Sequence, residues 1–288
     1  MSECLVTPTV VGVSALPVGL LVGGAVLTTL LVRKWLGSME ALSRSAFEEL
    51  QRAVPALSAQ TLLAPSRVEQ QARAQLKLLE ARLDSLQLPP AAAVRLSGLL
   101  RLASSPYVVQ KPALVEQRLS ALLGAVTVEE AVAARRALLQ TVRAEHRQAF
   151  IGAVAQACSN AARQIGFERV EVSPGRRGEL RIIAANNLGQ ALVTEIHPNN
   201  NHDPWLAAEV VGVRDGSCGQ IMDAFEKALA SQGVRYAPPR RKPTSGVCQL
   251  EAAREFLARG ERPSSVSRDS TARRRALRLN RKQEVLLR

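Results

Sequence analysis

The pattern of polar and apolar positions opens with residues 4–32, a run without a charged side chain that stops at Arg33-Lys34-Trp35. Its core, 10–32, would rise roughly 35 Å as a helix, enough to cross a hydrocarbon layer of about 30 Å. A removable signal peptide and a buried soluble helix are the rival readings. The flanks favour an uncleaved anchor, because Glu3 is the only charged side chain before Arg33, where a secretory signal would begin with basic residues. Arg33 and Lys34 follow the run and no Lys or Arg precedes it. The positive-inside rule then makes this a single-pass membrane protein with its C-terminal region cytoplasmic. Ala15, Gly19 and Gly23 recur every four residues and leave one helix face open to close pairing, hence to a homo-oligomer. Glycine is also frequent in membrane helices for its own sake.

Beyond the run, helical periods are interrupted by proline. A short helix over 43–54 ends before Pro55, and a better one starts at Pro65-Ser66, where Ser66 and Glu69 have the spacing of a capping box. Leu76, Leu79, Leu83 and Leu86 form an apolar seam, suited to a coiled coil between protomers or to an antiparallel bundle within one. Further helices are predicted over 91–103, 112–123 and 128–165, the last opened by a second capping box, Thr127 with Glu130. Within it, His146 lies between Glu145 and Arg147 and reads as a surface histidine, whereas Cys158 reads as a small core residue.

Near Gly166 the period shortens to that of strands. The pattern predicts strands over 168–173, 180–185, 191–196 and 206–213, with turns at Pro174-Gly175 and Asn186-Asn187-Leu188-Gly189, and then a helix over 218–231. The expected fold class is α+β: an N-terminal transmembrane helix, a helical stalk or bundle, a small antiparallel sheet packed with helices, and a disordered basic C-terminal tail. The boundaries are an anchor at 1–37, a stalk at 38–127, an α+β module at 128–236, a basic linker with a short helix at 237–259, and a tail at 260–288.

Charge adds the next layer. The 288 residues carry a formal net charge of +13. Much of it is C-terminal, with fifteen Lys/Arg against five Asp/Glu from Arg235 onward. Arg240, Arg241 and Lys242 in the linker, and Arg273, Arg274, Arg275, Arg278, Arg281 and Lys282 in the tail, form a basic patch. Its expected partners are the membrane's anionic lipid or an acidic protein, with nucleic acid as a third polyanion that charge alone does not exclude. Aromatic residues make up only 3% of the chain, so stacking platforms for bases or sugars are scarce. Cys4, Cys158, Cys218 and Cys248 are widely spaced, which fits a reducing compartment and no structural zinc. Asn199 to Asp203 offers polar atoms in a row without convergence, and no Gly-x-x-x-x-Gly-Lys-Ser/Thr pattern occurs, so no metal or cofactor is implied.

The strongest local motif runs from Gly212 through Gly216, Ser217 and Cys218. A cysteine in the first turn of a helix has its thiolate favoured by the helix dipole, and His197 or His202 would serve as base in a thiol hydrolase or transferase. Ser217 is equally what a helix N-cap needs, and the free N–H groups of Gly216, Ser217 and Cys218 suit an anion. Here the chain resembles a short uncharacterised bacterial domain family with strand residues, Gly-x-x-Gly-x-Ser-Cys and an amphipathic helix. The match is Gly212, a gap one residue longer, then Gly216, Ser217 and Cys218, with Phe225 and Leu229 in the helix, over about 207–233. The resemblance implies a small sheet and helix module and brings no catalytic residue with it. The reading favoured by the whole sequence is a membrane-anchored adaptor or scaffold that presents this module and is not an enzyme.

Overall fold

The computed structural model describes residues 4–14, 61–84, 88–103, 107–198, 203–213, 216–237, 240–243 and 247–258. From the N-terminus come strands β1 (Cys4–Thr7), β2 (Val10–Ser14) and β3 (Thr61–Leu63), then helices α1 (Pro65–Asp84), α2 (Pro90–Ala103), α3 (Pro112–Gly124) and α4 (Val128–Gln164). Next are β4 (Arg169–Pro174), β5 (Leu180–Ala185), β6 (Ala191–His197) and β7 (Trp205–Val211). The chain continues through α5 (Cys218–Ser231), β8 (Val234–Tyr236), β9 (Arg240–Pro243) and α6 (Glu251–Ala258). The class is α+β.

The main sheet has the order β4-β5-β6-β7-β1-β9, with every neighbouring pair antiparallel. A second sheet, β3-β2-β8, is fed by the same N-terminal segment. One face of the main sheet presents Val6, Ile182, Leu192, Ile196, Leu206 and Val210 to Phe150, Val154 and Cys158 of α4 and to Met222, Phe225 and Leu229 of α5. The other face presents Ala191, Val193, Ala207 and Val211 to Ala252, Ala253 and Phe256 of α6. Helices on both faces explain why β6 is buried from Ala191 to Ile196, Thr194 and Glu195 included.

These strands correct the reading of the N-terminus. The first part of the apolar run, expected to be the start of a transmembrane helix at residue 10, is instead β2, paired with β3 and β8, with Val10 and Val13 each 1% exposed. Its hydrophobicity is matched by the protein core rather than by lipid. Among the described residues no helix is long and apolar enough to cross a membrane. The transmembrane helix, the single-pass membrane topology and the localisation deduced from it are therefore withdrawn. Ala15, Gly19 and Gly23 lie outside the described residues, as do the tail arginines and the predicted helix over 43–54.

A separate apolar core joins the first helices: Val68 of α1, Leu96 and Leu100 of α2, Val115 and Leu119 of α3, and Leu138 and Val142 of α4. Leu76 packs at its margin, and the remaining leucines of the expected seam carry no described side chains. The boundary drawn at 128 does not separate two units, because α4 serves both cores. Its 37 residues, roughly 55 Å of helix, pass from the helical core around Leu138 to the sheet core around Phe150. The capping box that opens it is present, the Glu130 N–H donating to Thr127 Oγ1 at 3.2 Å and the Thr127 N–H to Glu130 Oε2 at 3.2 Å.

Candidate anion-binding cleft

Where α1, α2 and α4 meet, the sequence spacing sets arginines facing one another. On α4, Arg135, Arg136, Gln140 and Arg143 fall on one side of the helix, and on α2 Ser97 and Arg101 are one turn apart. Together with Leu76, Val132 and Leu139 they line a half-open cleft of about 340 Å³. Among the described residues lining it there is neither an acidic side chain nor an aromatic ring.

Glu69, from α1, pairs with two of these arginines. Its carboxylate accepts from Arg143 Nε at 2.6 Å and Nη2 at 3.0 Å, from Arg101 Nη2 at 2.9 Å, and from the Tyr107 hydroxyl. Burial alone would raise the Glu69 pKa, but these donors, Arg143 foremost, bring it below the usual carboxylate range. Burial and the Glu69 charge together push Tyr107 up to about 12. The result is an ionised carboxylate that orients two guanidiniums and neutralises one of them. Arg135 is fixed differently: its Nη1 donates to Ser97 Oγ at 2.7 Å, and its stem crosses α2 at Gly98, where a Cβ would meet Arg135 Cγ at 2.9 Å. Arg136 is exposed.

The sequence pattern marks none of the four arginines, and it places Glu69 in a capping box and Leu76 in an apolar seam. Ser66 instead lies inside the first turn of α1, with its N–H and Oγ bonded to Asp203 at 2.9 and 2.6 Å. The cap is thus a carboxylate from a remote loop, leaving Glu69 free to pair across helices. A signal was available: Arg101, Arg135, Arg136 and Arg143 have no Asp or Glu three or four residues away on their own helices. Intrahelical pairing therefore does not account for them.

The residues expected to carry thiol chemistry are kept apart. Cys218 is 2% exposed and belongs to the core between the sheet and α4/α5. His197 is on the opposite face, its Nε2 3.0 Å from Glu195 Oε2 and its ring stacked on Trp205 with centroids 3.9 Å apart. Glu195 in turn accepts from the Ala252 N–H of α6 at 3.3 Å, so the pair belongs to the seat of that helix. His202 lies outside the described residues. Ser217 does precede α5, but its backbone angles of −75° and 2° are not those of an extended cap and its side chain makes no capping bond. Gly216 has a positive φ of 75° and is exposed, and nothing beyond a helix start marks Gly216, Ser217 and Cys218 as an anion site.

Arg240, Arg241 and Lys242 are not in a linker. They form β9, the edge strand beside β1. His146, expected on the surface, is fully buried: Nδ1 accepts from the Val108 N–H at 3.0 Å and Nε2 is 2.9 Å from the Leu63 carbonyl. Its charged neighbours in sequence misled, since Glu145 is buried too and accepts from the Lys111 N–H at 3.0 Å. No protein-family model, curated protein or solved structure matches the chain.

Proposed function

We propose that the protein is a non-catalytic adaptor that recognises an anionic group on its partner, with the cleft between α1, α2 and α4 as the docking site. The observation carrying this reading is the convergence of Arg101, Arg135, Arg136 and Arg143 on one recess, with Glu69 the sole carboxylate paired with any of them among the described residues. Guanidiniums held side by side repel one another, and a fold that maintains them gains by receiving a counter-anion. The adaptor reading of the sequence thus loses its membrane tether and keeps its acidic partner. A thiol enzyme is less well supported, because the sheet separates Cys218 from His197.

Fluorescence anisotropy with labelled polyglutamate and labelled polyphosphate provides the test, on the full chain and on Arg136→Glu. At least one probe should bind, more weakly as salt is raised, and the substitution should weaken it fivefold or more. Binding to neither probe, or binding indifferent to the charge reversal, refutes the docking site.

A further inference from the structure

We infer that the group the cleft takes is a diphosphate, free or as part of a larger phosphate ester. This rests on the anion-docking reading above and narrows it. Among the described residues four guanidiniums line the cleft and one carboxylate, Glu69, is paired with two of them, a local excess of three positive charges. Near neutral pH a diphosphate carries about the matching negative charge, whereas a single carboxylate leaves most of the excess standing.

Shape points the same way. Arg135 and Arg143 are eight residues apart on α4, roughly 12 Å along the axis, so the cleft offers donors over a length that two linked phosphates fill better than one. Arg101 approaches from the α2 wall and the other three from α4, so donors reach the cleft from two helices. A carboxylate accepts in its own plane, while a tetrahedral phosphoryl group offers oxygens in several directions.

The donors left over fit such a ligand. Arg143 spends Nε and Nη2 on Glu69, Arg101 spends Nη2 there, and Arg135 spends Nη1 on Ser97. Without an aromatic ring among the described lining residues, the cleft has nothing on which to stack a base, so recognition ends at the phosphates.

Calorimetric titration of the full chain with inorganic pyrophosphate, orthophosphate and citrate tests the assignment, citrate supplying similar charge on planar groups. Pyrophosphate should bind at least tenfold more tightly than either competitor. Arg136→Gln, at an exposed position and with every tail arginine intact, should weaken pyrophosphate fivefold or more while leaving the thermal midpoint unchanged. A margin below tenfold, or no pyrophosphate binding, overturns the diphosphate assignment; the polyanion measurement above then decides separately whether the docking site survives. Pyrophosphate binding that ignores Arg136→Gln overturns both, since the anion would be bound elsewhere on the chain.

Discussion

Buried beside Tyr107, whose ring centroid is 5.9 Å away, the His146 imidazole accepts one backbone hydrogen bond and makes a second to a carbonyl, which requires the neutral ring with its proton on Nε2. Burial pushes its pKa down to about 4, from 6.5. Between those values the unfolded chain holds the extra proton, so stability falls as pH falls from 6.5 toward 4. The full loss is roughly 3 kcal/mol. Glu69, Glu179 and Glu195, all lowered from 4.5, act later: what they contribute is present above 4.5 and disappears as pH drops through their folded values. The interval from 6.5 to about 5 is therefore the histidine's. Urea midpoints measured across it should decline for the native chain, while His146→Gln should be less stable at pH 7 and show little slope. A flat native profile would remove this account. Neither His146 nor Glu69 was legible in the sequence, because the partners of each lie tens of residues away and nearby residues offered a plausible local role.

At the scale of elements, local patterns carried the information they physically contain. Helices α1 to α5 and strands β4 to β7 were predicted to within a few residues because amphipathic periods and turn residues are properties of short stretches. The N-terminal strands were not: β1 and β2 are buried by distant partners, and β1, with Val6 in one core and Leu5 against another, lacks the alternation that marks a half-exposed strand. Six β-branched residues among the eleven from Cys4 to Ser14 were the available hint. The β5–β6 turn shows how elements lock together: Asn186 Oδ1 accepts from the Leu188 and Gln190 N–H groups at 3.0 Å each, and the turn's Gly189 carbonyl lies against Gly212. Gly212 has φ near 80°, and a Cβ there would collide with that carbonyl. Gly212→Ala should cost about 1–3 kcal/mol from the backbone angle, plus the collision, read as a lowered urea midpoint. A cost below about 0.5 kcal/mol would show that the turn shifts freely.

For the whole molecule, α4 is the member that makes two cores into one unit. Leu138 and Val142 belong to the helical core, Phe150 and Val154 to the sheet core, and His146 bonds to β3 and to the segment before α3 at the crossing. The α6 side is fastened by charge: Glu209, 0% exposed, accepts from the N–H groups of Gln249 and Leu250, while Arg181 reaches Glu251 and Glu255 at 3.0 and 3.1 Å. Gly152 is an exposed interior position of α4 where a Cβ would touch nothing within 4 Å. Gly152→Ala should therefore stabilise by about 0.5–1 kcal/mol. If α4 couples the cores, the slowest-exchanging amides of α2 and β6 should both gain protection by a similar amount. A gain confined to one of them would show two independently unfolding halves.

The placement of β1 also bears on how the chain is made. A ribosome delivers this strand long before either of its neighbours, since β7 starts at Trp205 and β9 at Arg240. At about 5–20 residues per second, the wait for β7 lasts roughly 10–40 s. Through that interval Leu5 and Val6 must remain without their strand partners, and only the late arrival of the distal half closes the sheet around them.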